Sequence, residues 1–162
     1  MDEMTYYRAQ VREAVILATF WHQGQKDCSG QPYVGHLQRV ATYVGQMPGF
    51  RAGDLAIAWL HDIVKETPIT IGDLKKKSFS DYVVEGVNIL TRSREMTYAE
   101  YIESVVTSGH FGAVRVKYAD LKDNSDSRRS AGSSPPLQRR YKKALRQVEE
   151  LLETMSRVDK TL

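Results

Sequence analysis

Two histidines and two aspartates are spaced so that they could share one cation. His61 and Asp62 are adjacent at the end of a strongly apolar segment, His36 lies one segment earlier, and Asp120 lies in a later one. Burying imidazole and carboxylate beside Leu60, Ile63 and Val64 is costly unless the groups are paired or coordinated. Four mixed nitrogen and oxygen donors suit a first-row divalent ion. The carboxylates lean towards Mn²⁺ or Mg²⁺, and the imidazoles leave Fe²⁺ and Zn²⁺ open. Such an ion polarises a phosphoryl oxygen and lowers the pKa of water from about 16 towards about 7, which is the chemistry of a phosphohydrolase. Asn124, one helical turn after Asp120, shares its face.

These residues need helices to position them, and the periodicity is helical almost throughout. Val11, Ala14, Val15, Ala18 and Trp21 mark one buried face, which ends at Gly24. After a turn-rich loop through Asp27, Ser29, Gly30 and Pro32, a second helix starts near Tyr33, with His36, Val40 and Val44 in one row. The segment from Ala52 to Glu66 is apolar on most sides, so it is expected as one continuous helix at the centre of a bundle. Thr70 and Ser80 are expected N-caps, and Thr97 with Glu100 forms a capping-box pattern. Helices over Ala113–Asn124 and from Leu137 onward complete about eight, with 130–136 as a loop. The expected fold is an all-α, single-domain bundle over residues 1–162.

The composition excludes several classes. The chain has 162 residues, 41% apolar and 27% charged, as for an ordinary globular protein long enough for a real core. A net charge of +3, from 23 basic and 20 acidic residues, is too small to argue for nucleic acid. Cys28 is the only cysteine, so no internal disulfide exists and a reducing, cytoplasmic compartment is expected. The start, Met1-Asp2-Glu3, is acidic, without a charged-then-apolar signal pattern, and no apolar run approaches the roughly 20 residues of a membrane span. Nothing in the sequence assigns an oligomeric state.

Several motifs, in order, carry a resemblance. His22-Gln23-Gly24-Gln25-Lys26-Asp27, then Gly30 to His36 and Arg39-Val40-Ala41, resemble the opening of the HD-domain hydrolases of guanosine tetraphosphate (ppGpp). Ala58 to Thr67 is similar to that family's central helix and its following acidic motif, and Val116 to Asn124 to its last ligand segment. The resemblance spans about residues 8–150 and points to the small stand-alone (p)ppGpp hydrolases of RelA/SpoT type, an alarmone-degrading activity of the stringent response. It implies an HD-type helical bundle with His36, His61, Asp62 and Asp120 as metal ligands, usually for Mn²⁺. Glu66 then matches a water-positioning acid, Asn124 a residue near the ribose and phosphates, and Ser29 and Tyr33 the nucleotide-facing loop. Lys122 and Arg128 are the nearby cations for a diphosphate. The implied reaction is hydrolysis of the 3′-pyrophosphate to GDP or GTP and pyrophosphate.

Two positions depart from the family pattern. Its Glu-Asp pair reads Lys65-Glu66, which makes Lys65 a candidate phosphate clamp in the catalytic set. An Arg-Lys pair that contacts the base reads Asp27-Cys28. The first motivates a catalytically silent nucleotide sensor as an alternative. The second motivates the same chemistry on a dNTP, NADPH or a signalling dinucleotide. The basic cluster Arg139, Arg140, Lys142, Lys143 and Arg146 reads as the polar face of the last helix, with a nucleic-acid module ranked below the other readings. Lys75-Lys76-Lys77 reads as a solvated helix end, and His22 and His110 as structural or exposed.

Overall fold

The computed structural model describes residues 3–77, 79–126 and 133–158. Among them the chain forms nine helices: α1 (Glu3–Trp21), α2 (Tyr33–Gly45), α3 (Ala52–Leu60), α4 (Ile63–Glu66), α5 (Ile71–Lys76), α6 (Asp81–Leu90), α7 (Tyr98–Thr107), α8 (Phe111–Asn124) and α9 (Pro135–Val158). The only β feature among these residues is an isolated bridge between Lys26 and Pro32.

The apolar third segment takes the central position that its composition predicts. α3 packs against α1, α2, α6 and α8, and Ala56, Ile57, Ala58 and Leu60 are fully buried. It is not continuous with α4, however. The ring of His61 donates from Nδ1 to the Ala58 carbonyl at 2.7 Å, and His61-Asp62 forms a turn between the two helices. A side chain competing for a backbone acceptor breaks the segment, which hydrophobic periodicity does not register.

Helix starts follow their caps. The Thr70 and Thr97 hydroxyls accept from the backbone N–H of Asp73 and Glu100, whose carboxylates return to the cap N–H. Ser80 Oγ accepts from Val83 N. His110 is a cap that the sequence reading did not assign: its Nδ1 accepts from Ala113 N at 3.0 Å while Nε2 donates to the Tyr82 carbonyl at 2.9 Å. α8 therefore begins two residues before Ala113. α9 starts at Pro135, where a missing N–H costs nothing. Of the expected loop, residues 130–132 lie outside the described residues, as does Arg128, and so does the side chain of Met155.

One buried charge sits away from the His/Asp cluster. Asp54 is fully buried and accepts from Tyr82 Oη at 2.6 Å, Arg51 N at 3.0 Å and Arg115 at 3.2 Å. Gly112 makes room for it, since a Cβ there would come within 2.5 Å of both Asp54 Oδ1 and Tyr82 Oη. This contact sets how closely α8 approaches α3, and so where Asp120 lies relative to His61.

Candidate metal centre and its cavity

α2 and the turn after α3 bring His36, His61 and Asp62 into one group, and α8 sets Asp120 beside the two histidines. His36 Nε2 lies 3.8 Å from Asp62 Oδ2 and 3.4 Å from Asp120 Oδ1. His61 Nε2 lies 3.1 Å from Asp62 Oδ2 and 3.8 Å from Asp120 Oδ1. Donors about 2.1 Å from a common ion would sit about 3.0–3.4 Å apart in octahedral or tetrahedral geometry. His36, His61 and Asp62 form a compact group that could hold such an ion, their donor atoms all within 4.8 Å of one another, and Asp120 lies against the two histidines.

The histidine tautomers agree with that reading. His61 Nδ1 is committed to the Ala58 carbonyl, which leaves Nε2 as a lone pair, and this buried nitrogen has no hydrogen-bond partner among the described residues. His36 Nδ1 faces Asp123 Oδ2 at 2.6 Å, again leaving Nε2 towards the cluster. A carboxylate behind a ligating imidazole fixes its orientation and raises its basicity. Asp123 is itself held by Arg39, with Nε at 2.7 Å from Oδ1, and Arg39 also reaches Asp27 Oδ2 at 3.6 Å.

Electrostatics in the cluster call for positive charge. Burial disfavours protonated His36, but its hydrogen bonds to Asp120 and Asp123 outweigh that and push its pKa up to about 9. Burial likewise acts against protonated His61, and the Asp62 charge more than offsets it. Burial would raise both aspartates, yet His61 holds Asp62 well below the usual carboxylate range and Lys117 does the same for Asp120. A divalent cation answers the same demand as protons on the imidazoles.

The surrounding residues sort by what they touch. Tyr33 Oη donates to Asp62 Oδ2 at 2.6 Å, and burial together with that charge pushes its pKa far up. Asn124 Nδ2 donates to Asp120 Oδ1 at 2.6 Å, so its amide orients that carboxylate. Ser29 Oγ donates to Asp27 Oδ1 at 2.6 Å, and Asp27 Oδ1 also accepts from the N–H of Ser29 and Gln31. Asp27 thus shapes the loop that Gly30, at φ 79°, allows to turn. Glu66 pairs with Lys65 at 2.6 Å. Lys122 is exposed on the outer side of α8 against Tyr118, away from the cavity lining.

Three residues at the site were not assigned from sequence. Asp123 is the first. Lys117 is the second: it is buried, 2.9 Å from Asp120 Oδ2, with its ammonium 5.0 Å from the Tyr101 ring. Burial opposes its charge, but Asp120 outweighs burial and holds it well above the usual lysine range. The third is His22, fully buried and stacked on Tyr33 at 5.0 Å. Gln25 Nε2 donates to the Glu66 carbonyl, so its Oε1 accepts from His22 Nδ1 at 2.7 Å. Burial lowers the His22 pKa, consistent with a neutral ring.

The cluster opens into a cavity of about 690 Å³. Lys26, Lys65, Arg92, Arg94, Lys117 and Arg140 line it, against the carboxylates of Asp27, Asp62 and Asp120. Arg140, expected on the solvated face of α9, lies over the Tyr98 ring at 5.4 Å. A cavity with twice as many cations as carboxylates suits a polyanion.

No protein-family model matches the chain. It is 31% identical to the Bifunctional (p)ppGpp synthase/hydrolase SpoT of Escherichia coli K12 over 138 residues, which cover 81% of this chain and 19% of that protein. The chain therefore spans about a fifth of the length of that relative. It is 28% identical to the Guanosine-3′,5′-bis(diphosphate) 3′-pyrophosphohydrolase MESH1 of Drosophila melanogaster, over 82% of this chain and 75% of that one. A solved structure described as a metazoan ortholog of SpoT that hydrolyzes ppGpp superposes with a TM-score of 0.73 at 25% identity, over 89% of this chain and 85% of its own. By sequence this chain is similar to SpoT and MESH1, and by fold to the solved metazoan ortholog, whose all-helical architecture it shares.

Proposed function

We propose that the chain is a metal-dependent hydrolase that removes the 3′-pyrophosphate of guanosine tetra- or pentaphosphate, giving GDP or GTP and pyrophosphate. The observation that carries this reading is the coincidence of the His36, His61 and Asp62 group, with Asp120 beside it, and a cationic cavity of nucleotide size. His36, His61, Asp62 and Asp120 would hold the ion, with Mn²⁺ the leading candidate. When bound, the ion supplies Lewis acidity towards a phosphoryl oxygen and a more acidic water.

The chain's own residues do the rest. Asp123 and the Ala58 carbonyl hold the imidazoles in the ligating tautomer. Tyr33, Lys117 and Asn124 fix the carboxylates, and Lys117 keeps Asp120 ionised at neutral pH. Glu66 orients the attacking water, while the cavity's arginines and lysines receive the phosphates. Arg140 over Tyr98 offers a flat cationic surface beside them.

The same chemistry on another nucleotide is the second reading. Asp27 supports it: its carboxylate is consumed by Ser29, Gln31 and Arg39, so the loop presents no arginine to a guanine at that position. Incubation with ppGpp and Mn²⁺, following GDP and pyrophosphate by chromatography, tests the first reading. Turnover abolished by a chelator supports it. No turnover beside an active control enzyme rejects ppGpp, and a panel of dNTPs, NADPH and signalling dinucleotides then tests the second.

A further inference from the structure

Lys65 occupies the cavity wall where the resemblance places an acid. Its ammonium lies 2.6 Å from Glu66 Oε1 and 4.0 Å from Asp62 Oδ1. Its side chain retains 57% of its exposure and lines the cavity, whereas Glu66 does not. Lys65 is therefore the member of the pair that a ligand meets first.

We propose, resting on the hydrolase reading above, that Lys65 is a phosphate-operated latch on Glu66. A phosphate arriving beside Asp62 takes the ammonium from Glu66, and the released carboxylate accepts a hydrogen bond from the attacking water. Three physical facts support the exchange. An ion pair this exposed is held weakly and is readily broken. A phosphate offers more charge and more acceptor oxygens than a carboxylate, so it competes well for an ammonium. The lysine stem is long and flexible enough to turn from one to the other while its backbone stays in α4.

The latch also accounts for the pairing of opposite charges in this turn. Here Glu66 is masked at rest, and water is oriented only when phosphate is in place. Substrate occupancy and activation of the nucleophile become one event. The other end of the turn is anchored independently, because the Glu66 carbonyl is held by Gln25 at 3.0 Å and does not depend on Lys65.

The test is a double-mutant cycle on binding of inorganic pyrophosphate to the metal-free protein, by titration calorimetry, with wild type, Lys65→Met, Glu66→Gln and the double variant. Loss of a charge-assisted contact to phosphate should weaken pyrophosphate binding about tenfold or more in Lys65→Met. Glu66→Gln should tighten it several-fold while Lys65 is present, because the competitor is gone, and should leave it unchanged in the Lys65→Met background. Unchanged affinity in Lys65→Met would overturn the proposal. So would an equal effect of Glu66→Gln in both backgrounds, which would mean general electrostatics without exchange. Circular dichroism of each variant establishes that the fold is intact. The cycle is independent of turnover: an inactive protein with a coupled cycle rejects the hydrolase reading alone, and an active one with an uncoupled cycle rejects the latch alone.

Discussion

Replacing Asp123 by Asn tests how His36 is prepared for its proposed role as a metal ligand. Asp123 is 1% exposed and accepts from His36 Nδ1 at 2.6 Å and from Arg39, through Nε at 2.7 Å and a second guanidinium nitrogen at 3.4 Å. A carboxylate accepts from both, whereas an amide of the same shape has one oxygen and one NH₂. With the amide oxygen towards Arg39, the NH₂ faces His36 and favours the tautomer with its proton on Nε2, the nitrogen needed for the metal. The reverse orientation sets NH₂ against the guanidinium, although Arg39 is 37% exposed and can turn to water. The tautomer is therefore where the cost should fall. Loss of such a supporting carboxylate typically weakens metal affinity by about 10–100-fold, or about 1.4–2.7 kcal/mol. The fold should lose only about 1–2 kcal/mol, from a buried donor left without an acceptor. Mn²⁺ titration of the metal-free variant by calorimetry, with a thermal melt alongside, reads both. Wild-type Mn²⁺ affinity in a folded Asp123→Asn protein would refute the tautomer argument.

Other outcomes follow from the same geometry. Asp62→Ala should abolish both turnover and the rise in melting temperature that saturating Mn²⁺ gives the wild type, which at one hundred times Kd amounts to about 2.7 kcal/mol of stabilisation. Full activity of a metal-free Asp62→Ala protein would refute the metal mechanism. Lys117→Met should cost about 3–5 kcal/mol in chemical denaturation, because it strands the buried Asp120 carboxylate, and added Mn²⁺ should recover part of the loss. Gly112→Ala should destabilise by about 1–3 kcal/mol, since its Cβ collides with Asp54 and Tyr82. A wild-type melting temperature would show that α8 can shift without cost.

The sequence carried the helices better than it carried their breaks. Thr70, Ser80 and Thr97 cap where their spacing to the following N–H groups and acids predicts, because capping is local chemistry. The interruption at His61-Asp62 depends on a ring nitrogen finding the Ala58 carbonyl, which apolar periodicity does not encode. At the site, His36, His61 and Asp62 come together, with Asp120 against the histidines, because the two histidines and Asp120 lie on buried faces and Asp62 follows His61 directly. Asp123 was legible only as part of a motif: its partners His36 and Arg39 lie 87 and 84 residues away. Lys117 had a readable signal, a cation one turn before Asp120 on the same face. His22, read as structural or exposed, is buried, and its setting depends on the amide orientation of Gln25. Arg140 reads as one of five solvated cations until α7 is placed beneath it.

The guanidinium of Arg39 joins the loop to the cluster. It lies 3.6 Å from Asp27, in the loop that borders the cavity, and 2.7 Å from Asp123, which in turn supports His36. One cation is thus divided between two carboxylates with different duties. A nucleotide that reorders the loop changes the share of Arg39 left to Asp123, and with it the basicity of His36. Thermodynamic linkage then makes the dependence reciprocal: whatever factor the nucleotide imposes on affinity for the ion, the ion imposes on affinity for the nucleotide. Nucleotide and ion should therefore load cooperatively or antagonistically, and Arg39→Ala should move that coupling towards zero.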